Sequence, residues 1–176
     1  HDNEPTVSVM TVDDDASEPG DEPNDTGTFE ITRTDGEDIS EPLDVHVQVT
    51  GSARRETDYT LKVGDDEITD NKVQIPADQN EVQVTVQPVD DSIAEPTEKV
   101  ELKIKKKPTY NVDPDKKSDT ALIHDDEPMV TIEAIDDESS ESGSPPSDTG
   151  TFRISRTDDG DESLKVHFQR YSTARD

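Results

Sequence analysis

The sequence contains no cysteine and no tryptophan, and only 3% of its 176 residues are aromatic. Without cysteine there is no disulfide, no thiolate nucleophile and no cysteine-based metal site. Apolar residues make up 26% of the chain, and no stretch approaches the roughly 18 consecutive apolar residues of a membrane span, so direct membrane insertion is not expected. Positive charge is also scarce, because 17 lysines and arginines face 45 aspartates and glutamates, for a net charge of -28. Such a surface repels phosphate backbones, which excludes nucleic acid as a partner.

The chain repeats itself and ends within the second repeat. The run HDNEP at residues 1–5 returns as HDDEP at 124–128, and the run DTGTF at 25–29 returns unchanged at 148–152. The repeat predicts one complete module and one partial module, which are residues 1–127 and 128–176. Modules of tandem arrays usually serve as spacers, adhesive stalks or regulatory units, so we do not expect an enzyme.

Alternation of apolar and polar residues dominates the chain, and no segment has a helical period. The strands that this alternation predicts in the first module, A to G, are Thr6–Val12, Thr28–Arg33, Leu43–Val49, Tyr59–Val63, Val82–Val86, Val100–Ile104 and Thr120–His124. Seven short strands joined by turn-rich loops are typical of an all-β, immunoglobulin-like, seven-stranded antiparallel sandwich. The partial module is predicted to contain strands A to C only, at Val130–Ile135, Thr151–Arg156 and Leu164–Tyr171.

Acidic residues stand at the ends of several predicted strands. Consecutive strands of an antiparallel sandwich alternate in direction, so the A–B loop (residues 13–26), the C–D and E–F loops and the end of strand G share one pole. Four acidic groups should therefore meet there: Glu18, Asp58, the run 90–98 and the run 125–127. Crowded carboxylates need a counter-charge, and a site with about six to eight oxygen ligands suits Ca²⁺ better than Mg²⁺, zinc or copper. The alternative is that these are surface acids, clustered by chance in an acidic chain.

Three stretches closely resemble the Calx-beta domain: GSA and TDY within residues 51–59, VDDSIAEPTE at 89–98, and ALIHDDE at 121–127. The resemblance covers residues 5–127, and residues 128–176 as a partial copy. It implies an immunoglobulin-like sandwich that, in the calcium-binding members, holds Ca²⁺ through acidic side chains. The positions that match those ligands are Glu18, Asp58, Asp90, Asp91, Glu95, Glu98, Asp125, Asp126 and Glu127.

The resemblance and the repeat leave two functions open. Calx-beta domains occur in sodium–calcium exchangers, in integrin beta-4 and in long surface proteins. We favour a calcium-binding structural or adhesive module of an extracellular or cell-surface tandem array, in which Ca²⁺ stiffens the joint between modules. Its expected partners are neighbouring modules of the array and, if another chain completes the partial module, other chains in a fibre. The alternative is a calcium-sensing regulatory module of a transporter or signalling protein.

The only basic run of the chain lies at the end of strand F, where Lys103, Lys105, Lys106 and Lys107 follow one another closely. Charged residues in such a position can blunt the edge of a sheet, which is the simpler interpretation. The other interpretation is a docking patch for acidic neighbours in the array.

Overall fold

The computed structural model describes residues 4–18, 25–34, 39–139, 149–158 and 163–171. The chain folds as two compact units, His1–Asp126 and Glu127–Asp176. The described ranges contain strands and no helix. They therefore contain no helix that is long and apolar enough to cross a membrane. The strands of the first unit are β1 Thr6–Asp13, β2 Asp15–Ser17, β3 Gly27–Thr34, β4 Leu43–Gly51, β5 Tyr59–Val63, β6 Asp66–Glu67, β7 Lys72–Ile75, β8 Glu81–Pro88, β9 Glu98–Ile104, β10 Asn111–Val112 and β11 Ser118–His124.

The first unit is a sandwich of two sheets. One sheet has the strand order β10-β1-β3-β8-β5-β6, and the other has the order β2-β11-β9-β4-β7. Neighbouring strands are antiparallel except for two pairs, β1 with β10 and β2 with β11. The predicted fold class, an all-β immunoglobulin-like sandwich, is confirmed, and the four short strands β2, β6, β7 and β10 extend the two sheets beyond the seven predicted strands.

Alternate residues of both sheets form the core between them. In β3, Phe29 and Ile31 are fully buried, and in β9, Val100 and Leu102 are fully buried. The residues between them in sequence are partly or fully exposed. Each buried side chain of this size stabilises the fold by about 1.5–3 kcal/mol relative to an exposed one, so strict alternation supplies a core despite the low apolar content.

Predicted strand A is divided between the two sheets. β1 pairs with β3 up to a bulge between Thr11 and Asp13, after which residues 15–17 form β2 beside β11 in the opposite sheet. The sequence predicted only a loop over residues 13–26, and β2 corrects that prediction. Its anchor is Ala16, a small apolar side chain that is fully buried within an otherwise acidic run.

The second unit contains one two-stranded antiparallel sheet, formed by β12 (Val130–Asp136) and β13 (Thr151–Arg156). The third predicted strand, Leu164–Tyr171, is wrong, because residues 163–171 form no strand. The matching strand of the first unit, β4, is hydrogen-bonded to β7 and β9. The described residues of the second unit include no strand that corresponds to either of them. Large apolar side chains of this unit are therefore exposed, with Phe152 at 68% and Phe168 at 70%.

Candidate metal centre

Three loops and the end of β11 carry acidic residues to one pole of the first unit. β1, β8 and β11 end at this pole, and β5 and β9 begin there, as their antiparallel pairings require. The acids form two groups whose members offer carboxylate oxygens within 4.8 Å of one another. Oxygens bound to one Ca²⁺ at about 2.3–2.6 Å lie up to about 5 Å apart, so each group has the spacing of a shared ion.

The first group consists of Glu18, Asp90 and Asp126. Glu18 is buried at 7% exposure, whereas Asp90 and Asp126 are exposed. The pairing of β2 with β11 positions Glu18, because its backbone N–H donates to the carbonyl of His124 over 2.9 Å. Glu18 also has a carboxylate oxygen within 4.8 Å of an oxygen of Asp125, so four acids of the first unit converge here.

The second group consists of Asp58, Glu95 and Glu98. Asp58 is only 6% exposed. Its Oδ2 accepts a hydrogen bond of 2.6 Å from the backbone N–H of Arg54, and its carbonyl accepts one of 3.0 Å from the N–H of Val89. The loop before β5 is therefore fixed to the start of the β8–β9 loop, and it holds a carboxylate below the surface.

Gly51 determines how the loop that carries Asp58 leaves β4. Its φ is +143°, and a Cβ at this position would lie 1.9 Å from the carbonyl oxygen of Lys99. Any other residue would force the two backbones apart. Hydrogen bonds from the N–H of Ala53 to the carbonyl of Lys99 and from the N–H of Lys99 to Oγ of Ser52 then close the contact. This close approach places Asp58 beside the start of β9.

Asp125 connects the two groups. Its Oδ2 accepts a hydrogen bond of 3.0 Å from the backbone N–H of Glu95, a member of the second group. Its Oδ1 is buried and has no hydrogen-bond partner among the described residues. Buried carboxylate oxygens are normally satisfied, so an orphaned one on a residue that adjoins both groups of acids is what a cation ligand would show. All the side chains of both groups are oxygen ligands, which fits Ca²⁺.

One of the nine predicted residues, Asp91, belongs to neither group. Asp91 is half-buried, and its Oδ1 accepts a hydrogen bond of 2.6 Å from the N–H of Ile93, which shapes the β8–β9 loop. Glu127 is half-buried and is the first residue of the second unit, so its predicted role as a ligand stays a prediction.

A second layer of contacts around His124 was not predicted from the sequence. Its Nδ1 lies 3.2 Å from Oγ1 of Thr97 in the β8–β9 loop, and its Nε2 lies 3.1 Å from Oδ1 of Asp15 in β2. The imidazole therefore connects three of the segments that carry the acids. The only sequence signal was that His124 directly precedes Asp125, and this position alone does not specify which side chains it contacts.

Crowding changes the acid strength of Glu98. Its pKa is raised from 4.5 to about 7, first because the carboxyl is desolvated, then because it shares a hydrogen bond with the carboxylate of Asp58 and feels the charges of Asp58 and Glu95. Arg54 opposes this shift. The metal-free pole therefore holds a proton near neutral pH, which is the simplest cation that can relieve the repulsion between neighbouring carboxylates.

The raised pKa of Glu98 predicts how the stability of the metal-free chain depends on pH. The folded state binds this proton more tightly than the unfolded state, whose carboxyl has an ordinary pKa. The resulting stability is fully present below about pH 4.5 and is lost as the pH rises through about 7. The test compares the melting temperatures, in chelator, of the parent chain and of a Glu98→Gln variant, which stays neutral. As the pH rises from 5 to 8, the melting temperature of the variant should gain several degrees relative to that of the parent chain. A difference in melting temperature that is the same at pH 5 and at pH 8 would contradict the shared proton.

Searches of known proteins returned fold-level likenesses only. No family model matches the chain, and no curated protein matches it. The apo form of the Calx CBD1 domain is 16% identical over 69% of this chain and 98% of that domain, with a TM-score of 0.45. CBD12 from CALX1.2 is 18% identical over 57% of this chain and 38% of its own length, with a TM-score of 0.42. The calcium binding domain CBD12 of CALX1.1 is 19% identical over the same shares, with a TM-score of 0.40.

Proposed function

We propose that the first unit is a calcium-binding module in which Ca²⁺ ties together the three loops and the end of β11. The observation that carries this proposal is the buried Oδ1 of Asp125, which has no hydrogen-bond partner among the described residues and belongs to the aspartate that connects the two groups of carboxylates. The residues that would hold the ions are Glu18, Asp58, Asp90, Glu95, Glu98, Asp125 and Asp126. We call this set the acidic tip.

The effect of calcium follows from electrostatics. Without a counter-charge the carboxylates of the acidic tip repel one another, and the repulsion is strongest where they are desolvated, as at Asp58 and Glu18. Ca²⁺ would neutralise the groups and replace the shared proton at Glu98. It would also fix the acids to one another, because each group takes ligands from different segments of the chain. The ion thus connects β2, the β4–β5 and β8–β9 loops and the end of β11.

The larger context of this module is also a proposal. Asp125 and Asp126 are the last residues of the first unit, so calcium bound there would order the point from which the chain continues into the next repeat. The internal repeat supports a tandem array, and stiffening of such an array by Ca²⁺ suits a structural or adhesive role at a cell surface. The regulatory alternative remains a prediction. Affinity distinguishes the two, because extracellular modules bind Ca²⁺ at about 10⁻⁴–10⁻³ M and sensors at about 10⁻⁷–10⁻⁵ M.

Thermal unfolding tests the proposed function. An ion that binds only the folded state stabilises it by mass action, by about 2.7 kcal/mol at 100 times its dissociation constant. We therefore expect saturating Ca²⁺ to raise the melting temperature of the chelator-treated chain by about 5 °C or more. An equal concentration of Mg²⁺ is the control, and it should give a much smaller rise because it keeps its own waters. Melting curves that are the same with Ca²⁺, with Mg²⁺ and with chelator would exclude the proposed function.

A further inference from the structure

All the exposed lysines of the first unit except Lys99 lie at the pole opposite the acidic tip. β9 begins with Glu98 at the acidic tip and runs to Ile104, and the next strand in its sheet, β11, starts at this opposite pole with Ser118. The backbone N–H of Ile104 donates to the carbonyl of Lys117 over 2.8 Å, which brings the two lysine-bearing segments side by side. Six of the 17 basic residues of the chain lie here: Lys103, Lys105, Lys106, Lys107, Lys116 and Lys117. We call them the lysine patch.

The lysine patch is not a device for protecting a sheet edge. β9 lies between β11 and β4 in the interior of its sheet, so the edge-blunting interpretation of these lysines is wrong. All six side chains are exposed, and none forms an ion pair with another residue in the described part of the chain. Residues 105–117 carry five lysines against two aspartates, Asp113 and Asp115. The patch is therefore a local excess of positive charge on a chain whose net charge is -28.

From this arrangement we infer that the lysine patch is a docking surface for the acidic tip of a second copy of the chain. This inference rests on the proposed function, because the lysines would supply the counter-charge that Ca²⁺ otherwise supplies. The patch cannot reach the tip of its own unit. The two are separated by the length of β9, which is roughly 20 Å at about 3.3 Å per residue. The exposed acids Asp90 and Asp126 are the members of the tip that an approaching copy meets first.

Two copies that meet in this way are joined head to tail. The surfaces in contact differ, so each copy keeps one free tip and one free patch, and the association extends into chains of copies rather than closing as a dimer. Whole-molecule repulsion does not prevent this at physiological ionic strength, where charges more than about 8 Å apart are largely screened and local complementarity decides. Calcium at the tip removes the charge that the lysines bind. Metal-free copies should therefore associate, and calcium should release them.

Sedimentation equilibrium of the full chain in chelator and 0.15 M NaCl tests the inference. The expected result is an average mass that rises with protein concentration and returns to that of one chain when saturating Ca²⁺ is added. The double variant Lys106→Glu/Lys116→Glu should lower the association constant at least tenfold. The control variant Lys62→Glu/Lys165→Glu makes the same charge change outside the patch. It should change the association constant by no more than about twofold. In 1 M NaCl, where the screening length falls to about 3 Å, the association should be lost.

Several results would overturn this inference. One is association that survives the Lys106→Glu/Lys116→Glu change or 1 M NaCl, which would assign it to the exposed apolar residues of the second unit. Another is a chain that stays monomeric in chelator. If that monomeric chain binds dextran sulfate through the same lysines, the patch belongs to a different class of partner. Calcium titration of the same samples separates the two proposals. If Ca²⁺ binds and the metal-free chain is monomeric, only the docking surface is rejected, whereas an absence of calcium binding rejects the proposed function.

Discussion

Replacing Asp125 with asparagine is expected to weaken calcium binding by about 100-fold or more. Loss of an outer-shell partner typically costs about 10–100-fold in metal affinity, and in the proposed site Asp125 is a direct ligand that also connects the two groups of acids. The amide of asparagine keeps an oxygen that can accept the hydrogen bond from the N–H of Glu95, so the loop should remain in place. The change removes the negative charge and the second carboxylate oxygen, which is the buried one without a partner.

The control for this prediction is Asp65→Asn. Asp65 is an exposed residue that follows β5, at the pole opposite the acidic tip, and the same chemical change there should leave calcium affinity within about twofold. Both variants are measured by calorimetric titration of Ca²⁺ into chelator-stripped protein. Equal losses in the two variants would mean that only overall charge matters. Unchanged affinity in the Asp125 variant would remove Asp125 from the site.

Replacing Arg33 with methionine should destabilise the first unit by about 3 kcal/mol or more, because several buried carbonyls lose charge-assisted hydrogen bonds at once. Arg33 is an inward-facing residue of β3 that is only 5% exposed. Its guanidinium donates to four backbone carbonyls, with distances of 2.8 Å to Gln79, 3.0 Å to Glu41, 3.0 Å to Ile39 and 3.1 Å to Pro76. It thus joins the segment before β4 to the segment between β7 and β8.

The measurement is urea unfolding followed by near-ultraviolet circular dichroism, in which the buried Tyr59 and Tyr110 report on the first unit. Lys62→Met is the control, since Lys62 is a partly exposed strand residue and its loss should cost no more than about 0.5 kcal/mol. An Arg33→Lys variant should recover only part of the loss, because an ammonium group cannot reach four carbonyls in a planar fork. If the Arg33→Met variant unfolds at the same urea concentration as the Lys62→Met control, the hydrogen bonds of Arg33 contribute little to stability.

The sequence predicted the sandwich because alternation is a direct consequence of strand geometry, and each strand of the first module was found within a few residues of its predicted position. It also indicated which loops share a pole, since antiparallel strands alternate in direction. The crossing of β2 to the second sheet depends on one buried alanine in an acidic run, which is a weak local signal. The grouping of acids, with Glu18 beside Asp90 and Asp58 beside Glu98, depends on backbone paths that no local pattern encodes.

Arg33 and Arg156 show why similar local sequence does not fix identical contacts. The two arginines occupy the same position in the two repeats, 123 residues apart. Arg33 is enclosed by carbonyls of loops that follow later in its unit, whereas Arg156 pairs with the nearby carboxylate of Asp158. The same dependence explains residues 164–171, whose alternation matches that of β4 although they form no strand. Local pattern makes a strand available, and hydrogen-bonding neighbours decide whether it forms.

Calorimetric titration of Ca²⁺ into the chelator-stripped parent chain, at physiological salt, tests the central claim most directly. The proposed function predicts saturable binding of Ca²⁺, accompanied by proton release near pH 7 as the shared proton leaves Glu98, and a much weaker response to Mg²⁺. Binding in the range of about 10⁻⁴–10⁻³ M would agree with a constitutive structural ion. The absence of saturable calcium binding would contradict the account, and the acids of the tip would then serve only as solvated surface charge.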